Sequence, residues 1–358
     1  VVGEGEAAMH ALVTGGADAP QEVPGLVYRD GDGQPAFTGF RARKQLLDLD
    51  DLPFPAYEKL EGYPDLYKLP IFNYPSTPNA SCISSRGCPY ACSYCDRSVF
   101  CRSFRYNSAA YVYEHMKYMH TRWGIRHLNF YDDLFTFNRD RVQHLCRRLI
   151  DEPLGMTYNC AVRPDHVDAD LLALMKRSGC WMISLGIETG DEGLRAAHRD
   201  HGAALEDMSR CIHEIHDAGI RVKGLLMLGL PGETEETFKR TMDYVFALPI
   251  DDFNLTKFTP FPGSPLYDEI VQQGKLDEDL SKFDCMHFPY VADGMTEETL
   301  EELFQLFYRS HFQNPKTLLG YLSMIWKSPD SWLRLLRNFG RFIRFARSDK
   351  RYGGAADG

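Results

Sequence analysis

Ser81-Cys82-Ile83-Ser84-Ser85-Arg86-Gly87-Cys88-Pro89-Tyr90-Ala91-Cys92-Ser93-Tyr94-Cys95 runs from a strand into a cysteine loop. Ser81–Ser85 reads as the strand, and Pro89 opens a loop in which three thiols fall within eight residues. Three thiolates so close in sequence can converge on one metal centre. A structural zinc wants four closed ligands, usually as two pairs; the fourth would be Cys82, inside the expected strand, or Cys101. Iron–sulfur clusters also take thiolates, and three on a four-iron cluster leave one iron open to a small molecule. Unpaired cysteines also serve as ordinary buried packing. Ten cysteines in 358 residues are too few and too irregular for a disulfide scaffold.

Outward from this loop, short apolar runs alternate with helix-periodic segments. The strand candidates are Ser81–Ser85, His127–Tyr131, Met156–Ala161, Met182–Ile187, Val222–Leu228 and Asp252–Phe258. Between them lie Ala109–Thr121, Arg139–Ile150, Ala169–Arg177, Ala203–Ala218 and Glu235–Phe246. Strand then helix, repeated, means parallel strands joined by right-handed crossovers. The expected fold class is α/β, a partial (β/α)6 TIM-type barrel, with a doubly wound sheet as the competitor. In either, ligands bind where strands end at their carboxyl side. Reading past each strand gives the three cysteines, then Asp132-Asp133, Arg163, Glu188-Thr189-Gly190, Gly229-Leu-Pro-Gly-Glu233 and Pro260-Phe-Pro-Gly263. One such end is a turn; six on one face are a site.

Cys88-x-x-x-Cys92-x-x-Cys95, with Tyr94 just before the third cysteine, resembles the signature loop of the radical S-adenosylmethionine (radical SAM) superfamily. The resemblance implies a [4Fe–4S] cluster on Cys88, Cys92 and Cys95 whose open iron binds SAM. Reductive cleavage then gives methionine and a 5′-deoxyadenosyl radical, the electron coming from a donor such as flavodoxin or ferredoxin. It also implies SAM contacts. Asp132 and Asp133 stand where many members carry a Gly-Gly-Glu turn near the SAM amino group, a departure here; a helix cap is the other reading of the pair. Arg163 ends the third strand. Glu188 in Gly-Ile-Glu-Thr-Gly is similar to the motif at the SAM ribose or amino acid, and Arg199 to the residue that pairs with the SAM carboxylate. The segments at Gly229 and Pro260 are similar to those that approach adenine. The likeness covers residues 80 to about 270.

Val1-Val-Gly3-Glu4-Gly5-Glu6, Val23-Pro-Gly25 and Leu49-Asp50-Asp51-Leu-Pro53 are similar to the junction in cobalamin-binding radical SAM proteins, where a Rossmann-like domain precedes the barrel. Residues 1–79 are therefore expected to be a remnant of that domain plus a Pro-rich linker, 80–275 the core barrel, and 276–358 a helical carboxyl-terminal extension. The resemblance implies cobalamin for a longer parent chain and leaves open whether residues 1–358 bind it themselves. Three readings follow: cobalamin-linked methylation of an unactivated carbon, radical cyclisation like that of magnesium-protoporphyrin ester cyclases, and a non-catalytic zinc module.

The formal net charge is −10, from 40 Lys/Arg and 50 Asp/Glu. Residues 311–358 carry nine Lys/Arg against three Asp/Glu, so the remaining body stands at −16. An acidic body argues against nucleic-acid binding as the main task. No apolar run approaches a membrane span, and the chain opens without a charged apolar leader, so a cytoplasmic protein is expected. Trp332, Leu335, Leu336, Phe339, Phe342, Ile343 and Ala346 fall on one helical face, with Arg334, Arg337, Arg341 and Arg344 beside it. That pattern suits peripheral membrane contact through 332–346, and a lipid-like rather than another small-molecule substrate; a helix packed on the barrel with solvated arginines is the alternative.

Overall fold

The computed structural model describes residues 1–16, 18–40, 47–199 and 203–340. Six strands form one parallel sheet: β1 (Asn79–Cys82), β2 (His127–Phe130), β3 (Thr157–Val162), β4 (Cys180–Glu188), β5 (Arg221–Leu228) and β6 (Asp252–Lys257). Each pairs with its neighbour in sequence, so their order in space is their order in the chain. Crossover helices α1 (Ala109–Trp123), α2 (Arg139–Asp151), α3 (Ala169–Arg177), α4 (Leu205–Asp217) and α5 (Glu235–Ala247) join them. Among the described residues β1 and β6 do not pair with each other, which leaves an open half-barrel and settles the choice against a doubly wound sheet.

The elements follow from local chemistry. Ser108, Asn138, Asp168 and Thr234 each accept a hydrogen bond from a first-turn amide, starting α1, α2, α3 and α5. Asn138, not Asp132 or Asp133, is therefore the cap of α2. Along β5 the buried residues alternate, with Val222, Leu226 and Leu228 under the helices. They join Met116, Leu145, Leu172, Ile183, Leu185, Ile212 and Phe238 in one continuous core. A fully buried side chain of this size contributes about 1.5–3 kcal/mol. A short helix, Glu192–His198, stands between β4 and α4; the alternation of the sequence gave no sign of it.

The Pro-rich linker closes the amino end of the barrel. The side chain of Asn159 donates to the Asn73 carbonyl at 2.7 Å, Lys223 Nζ to Asn73 Oδ1 at 2.8 Å, and Arg221 to the Phe72 carbonyl at 3.1 Å. The carboxyl ends are left as the working face. In front of the linker lie the short helix Glu6–Ala11 and an antiparallel hairpin, Val27–Arg29 with Pro35–Phe37, joined across the Gly-rich turn at Asp30–Gly33.

Beyond residue 296 helices α6 (Glu297–Gln313), α7 (Pro315–Lys327) and α8 (Pro329–Arg337) follow. Phe307 of α6 packs on Phe246 and Phe253. Arg334 is not on a solvated face: its guanidinium donates to the Leu69 carbonyl and the Tyr74 hydroxyl, both at 2.7 Å. Trp332 is likewise drawn inward, its ring 5.7 Å from that of Phe72. The exposed apolar face instead combines Leu318, Leu319, Leu322, Ile325 and Trp326 of α7 with Leu333, Leu336 and Phe339. Residues 341–346 of the expected stripe lie outside the described residues. No described helix is long and apolar enough to cross a membrane.

Candidate functional site

Immediately after β1 the chain makes an antiparallel bridge, Ser85 opposite Tyr106 and Arg86 opposite Arg105. This two-residue neck brackets the cysteine loop. Gly87 leaves the neck at φ 84°, and a Cβ there would lie 2.4 Å from the Ser103 carbonyl oxygen, so only glycine lets the two limbs touch.

Cys88, Cys92 and Cys95 are free and half-buried. Burial, then the neighbouring thiols and Asp133, push the Cys95 thiol up to about 11. Burial likewise raises Cys88, with Cys92 and Asp133 adding and Arg163 opposing. The three thiols thus share one electrostatic neighbourhood. Among the described residues no group of three or more His, Cys, Asp or Glu side chains, these three cysteines included, is gathered closely enough to hold a metal ion as it stands. Cys82 is buried in β1 and Cys101 is exposed. Three free thiols on a single loop, with Cys82 held in the strand and Cys101 turned to solvent, are a donor set that suits a centre with an open position better than a closed four-ligand zinc site.

The other strand ends surround this loop. Asp133 accepts from the Gly87 amide and faces the thiols. Asp132 does not: both of its oxygens are taken by the Ser84 amide and hydroxyl, each at 2.5 Å. Arg141 of α2 donates to the Ser84 carbonyl at 3.1 Å behind them, so Asp132 ties the end of β2 to the end of β1. Arg163 lies with its guanidinium 3.6 Å from the centroid of the Tyr90 ring and pairs with Asp165 at 3.0 Å. The Tyr90 hydroxyl in turn meets His166 Nε2 at 3.0 Å.

Glu188 ends β4 in the left-handed region, φ 62°, at an irregularity in the β4–β5 register. Burial raises its carboxyl, opposed by Arg199, Arg195 and a hydrogen bond from Tyr94. Arg199 donates to the Gly186 carbonyl beside Glu188, and its buried Nε has no protein partner among the described residues. Tyr94 thus reaches across from the cysteine loop to Glu188, and a carboxylate, a guanidinium and a phenol gather within the barrel mouth.

Gly229 turns at φ 100° after β5, and its amide donates to Glu233 Oε2 at 2.5 Å. Glu233 is fully buried, its Oε1 without a partner among the described residues, and burial lifts its carboxyl to about 8. Pro260 is buried past β6. Gly263, three residues on, packs so closely that a Cβ would meet Asp96 Oδ1 at 2.5 Å. The Leu266 amide donates to the Ser93 carbonyl at 3.1 Å, fixing that segment to the loop.

Sequence reasoning missed His198, Ser93 and Arg195. His198 Nδ1 lies 3.0 Å from the Ser93 hydroxyl and Nε2 2.8 Å from the Pro231 carbonyl, bridging the cysteine loop to the turn after β5. Arg195 is buried and holds the Ile187 carbonyl at 2.9 Å beneath Glu188. All three lie on an unannounced helix or between cysteines, where no periodicity marks them. Beyond the open edge of β1 lies a cavity of about 1260 Å³, lined by Leu52, Phe54, Tyr57, Ile83, Tyr111 and Tyr131 among others.

Residues 82–245 match the family model described as Radical SAM superfamily. Among curated proteins, the chain is 25% identical over 279 residues to an uncharacterized methyltransferase, PH0819, of Pyrococcus horikoshii, covering 77% of this chain and 59% of that protein. It is 28% identical to the anaerobic magnesium-protoporphyrin IX monomethyl ester cyclase of Rubrivivax gelatinosus, over 90% of this chain and 57% of the cyclase. The chain thus spans less than two thirds of these relatives' length. In structure it is similar to the cobalamin-dependent SAM radical enzyme OxsB with aqua-cobalamin and SAM bound, at a TM-score of 0.67 and 16% identity, covering 98% of this chain and 60% of that one. It is also similar to the radical SAM methyltransferase TsrM of Kitasatospora setae, at 0.61 and 19%, covering 76% and 53%. That superfamily uses a [4Fe–4S] cluster and SAM, the donor chemistry for which three free thiols at the mouth of a half-barrel are suited. Residues 82–245 of this chain are therefore a radical SAM domain.

Proposed function

We propose that this chain reductively cleaves SAM and uses the resulting carbon radical for cobalamin-linked methylation of an unactivated carbon. The observation that carries the reading is the necked loop of three free thiols at the end of β1, whose own Tyr94 reaches Glu188 with Arg199 beside it. Bound there, a [4Fe–4S] cluster with SAM supplies a 5′-deoxyadenosyl radical on one-electron reduction by an external donor such as flavodoxin or ferredoxin. Cys88, Cys92 and Cys95 would hold the cluster. Arg199, whose Nε is buried and unpartnered, offers a charged donor to the SAM carboxylate. Asp133 and Glu188 offer carboxylates to its ammonium or ribose, while Gly229 and Pro260 shape the adenine side. Asp132, committed to Ser84, positions the end of β1. Arg163 holds Tyr90 of the cysteine loop. Cobalamin enters as a co-reactant, and no residue of this chain is assigned to it.

The apolar cavity beside β1 suits a bulky, largely apolar small molecule, and the exposed face of α7 and α8 suits peripheral contact with a lipid surface in the cytoplasm. Cyclisation is the second reading, favoured by the cyclase relative over 90% of this chain. Anaerobic reconstitution followed by SAM and a strong reductant tests both. 5′-Deoxyadenosine with S-adenosylhomocysteine when cobalamin is added supports methylation; 5′-deoxyadenosine alone supports cyclisation. Cys92→Ala abolishes cluster binding and Cys285→Ala leaves it intact. A wild-type chain that takes zinc but no iron–sulfur cluster overturns the reading.

A further inference from the structure

The neck of the cysteine loop should not hold by itself. It has two residue pairs, and one of them sets Arg86 directly opposite Arg105. Like charges directly opposite on an antiparallel pair destabilise it, and a two-stranded ribbon this short is not stable alone. What neutralises the repulsion comes from the far amino end. Glu4 accepts from both arginines, Oε2 from Arg86 Nη1 at 2.6 Å and Oε1 from Arg105 Nη2. Glu6 accepts from the other terminal nitrogen of Arg86. Two carboxylates thus balance two guanidiniums.

This is not a solvated surface pair. The side chains of Glu4, Arg86 and Arg105 are only 13, 20 and 21% exposed, so these three are weakly screened and costly to strand, while Glu6 is 41% exposed and adds less. The arginines are also anchored otherwise: Arg105 donates to the Leu47 carbonyl at 2.9 Å, and Arg86 lies 5.9 Å from the Phe100 ring centroid within the loop. The amino-terminal segment is held in its turn, with the Val2 amide donating to the Gly25 carbonyl at 2.7 Å. A continuous set of contacts therefore runs from the first residues to the loop that bears Cys88, Cys92 and Cys95.

We propose that Glu4 and Glu6 are positioning residues for the cysteine loop, clamping Arg86 against Arg105 so that the loop is closed before any cluster binds. The clamp rests on the proposed function only for the identity of what the loop holds; the closure is a property of the chain. It also makes the amino-terminal segment a control point, because whatever draws residues 1–6 away opens the neck.

The test uses the full chain as wild type, Glu4→Gln, and Glu4→Gln combined with Arg105→Gln. Two readouts are taken: tryptic nicking after Arg97 and Arg102 before reconstitution, and the rate at which a chelator strips iron after it. Glu4→Gln is expected to speed both roughly tenfold, the scale on which members of one ion-pair network couple. The double variant, which removes one of the opposed cations, is expected to recover most of the loss. A contribution from packing alone predicts the reverse, with the double variant worse than the single. Equal nicking and equal iron retention in wild type and Glu4→Gln overturn the clamp, as does a double variant worse than the single. If the wild type binds no cluster, the proposed function fails while the nicking assay still decides the clamp.

Discussion

Ser93 and His198 hold each other through both backbone and side chain. The Ser93 amide donates to the His198 carbonyl at 2.9 Å, and the Ser93 hydroxyl lies 3.0 Å from His198 Nδ1. Nε2 faces the Pro231 carbonyl at 2.8 Å, so it is the nitrogen that carries the proton. One imidazole thereby fixes the cysteine loop relative to the turn after β5, the two walls between which SAM is proposed to lie. His198→Ala should leave cluster content near wild type and weaken SAM binding by about tenfold, the loss of roughly 1.4 kcal/mol of positioning. A titration of SAM against the cluster's EPR signal checks it; an unchanged midpoint removes the role.

Gly87→Ala tests the neck from inside. At φ 84°, with Ser103 O where the methyl must go, the substitution forces the loop limbs apart. The expected cost is about 1–3 kcal/mol of local strain, read as lower iron content on reconstitution with only a small fall in Tm. Full iron incorporation would show that the limbs yield freely.

Glu233 gives the fold a pH dependence. Its carboxyl stands at about 8 in the folded chain against an ordinary 4.5, chiefly through burial. Between those values the folded chain keeps a proton that the unfolded chain has released. Raising the pH therefore favours unfolding: stability is highest below about 4.5, falls through that interval and levels off above 8. Glu233→Gln fixes the neutral shape. The variant should gain on wild type by roughly 2–4 kcal/mol between pH 5 and pH 8. Parallel denaturation curves for the two across that range would refute it.

Trp326, 72% exposed, and Leu319, 66% exposed, head the apolar face of α7. Replacing both with serine should leave the unfolding free energy within about 0.5 kcal/mol of wild type, as for exposed positions generally. The proposed lipid contact predicts that the same double variant loses most co-sedimentation with vesicles of mixed zwitterionic and anionic lipid. Wild-type chain that stays in the supernatant excludes it.

The half-barrel was legible because its strands are short apolar runs set between capped helices, and period and caps are local properties. Ala169–Arg177 came out with its expected bounds. The cysteine loop was legible from spacing alone. The division of labour between Asp132 and Asp133 was not, since adjacent carboxylates differ only in what meets them, and Ser84 is 48 residues away. Glu4 read as part of a junction motif, with nothing to show that it reaches Arg86 and Arg105 across some hundred residues. Arg334 read as a solvated charge because its acceptors, Leu69 and Tyr74, lie on the linker. What the sequence hides in each case is long-range pairing of polar groups, which leaves no periodic trace.

Asn73 has a consequence for traffic. With its carbonyl and side chain holding Asn159 and Lys223, and Tyr74 fully buried beside it, the barrel is a well with a floor. Among the described residues the barrel axis is shut at this end, so a molecule reaches the strand ends by the mouth or by the open side between β1 and β6, and not from below.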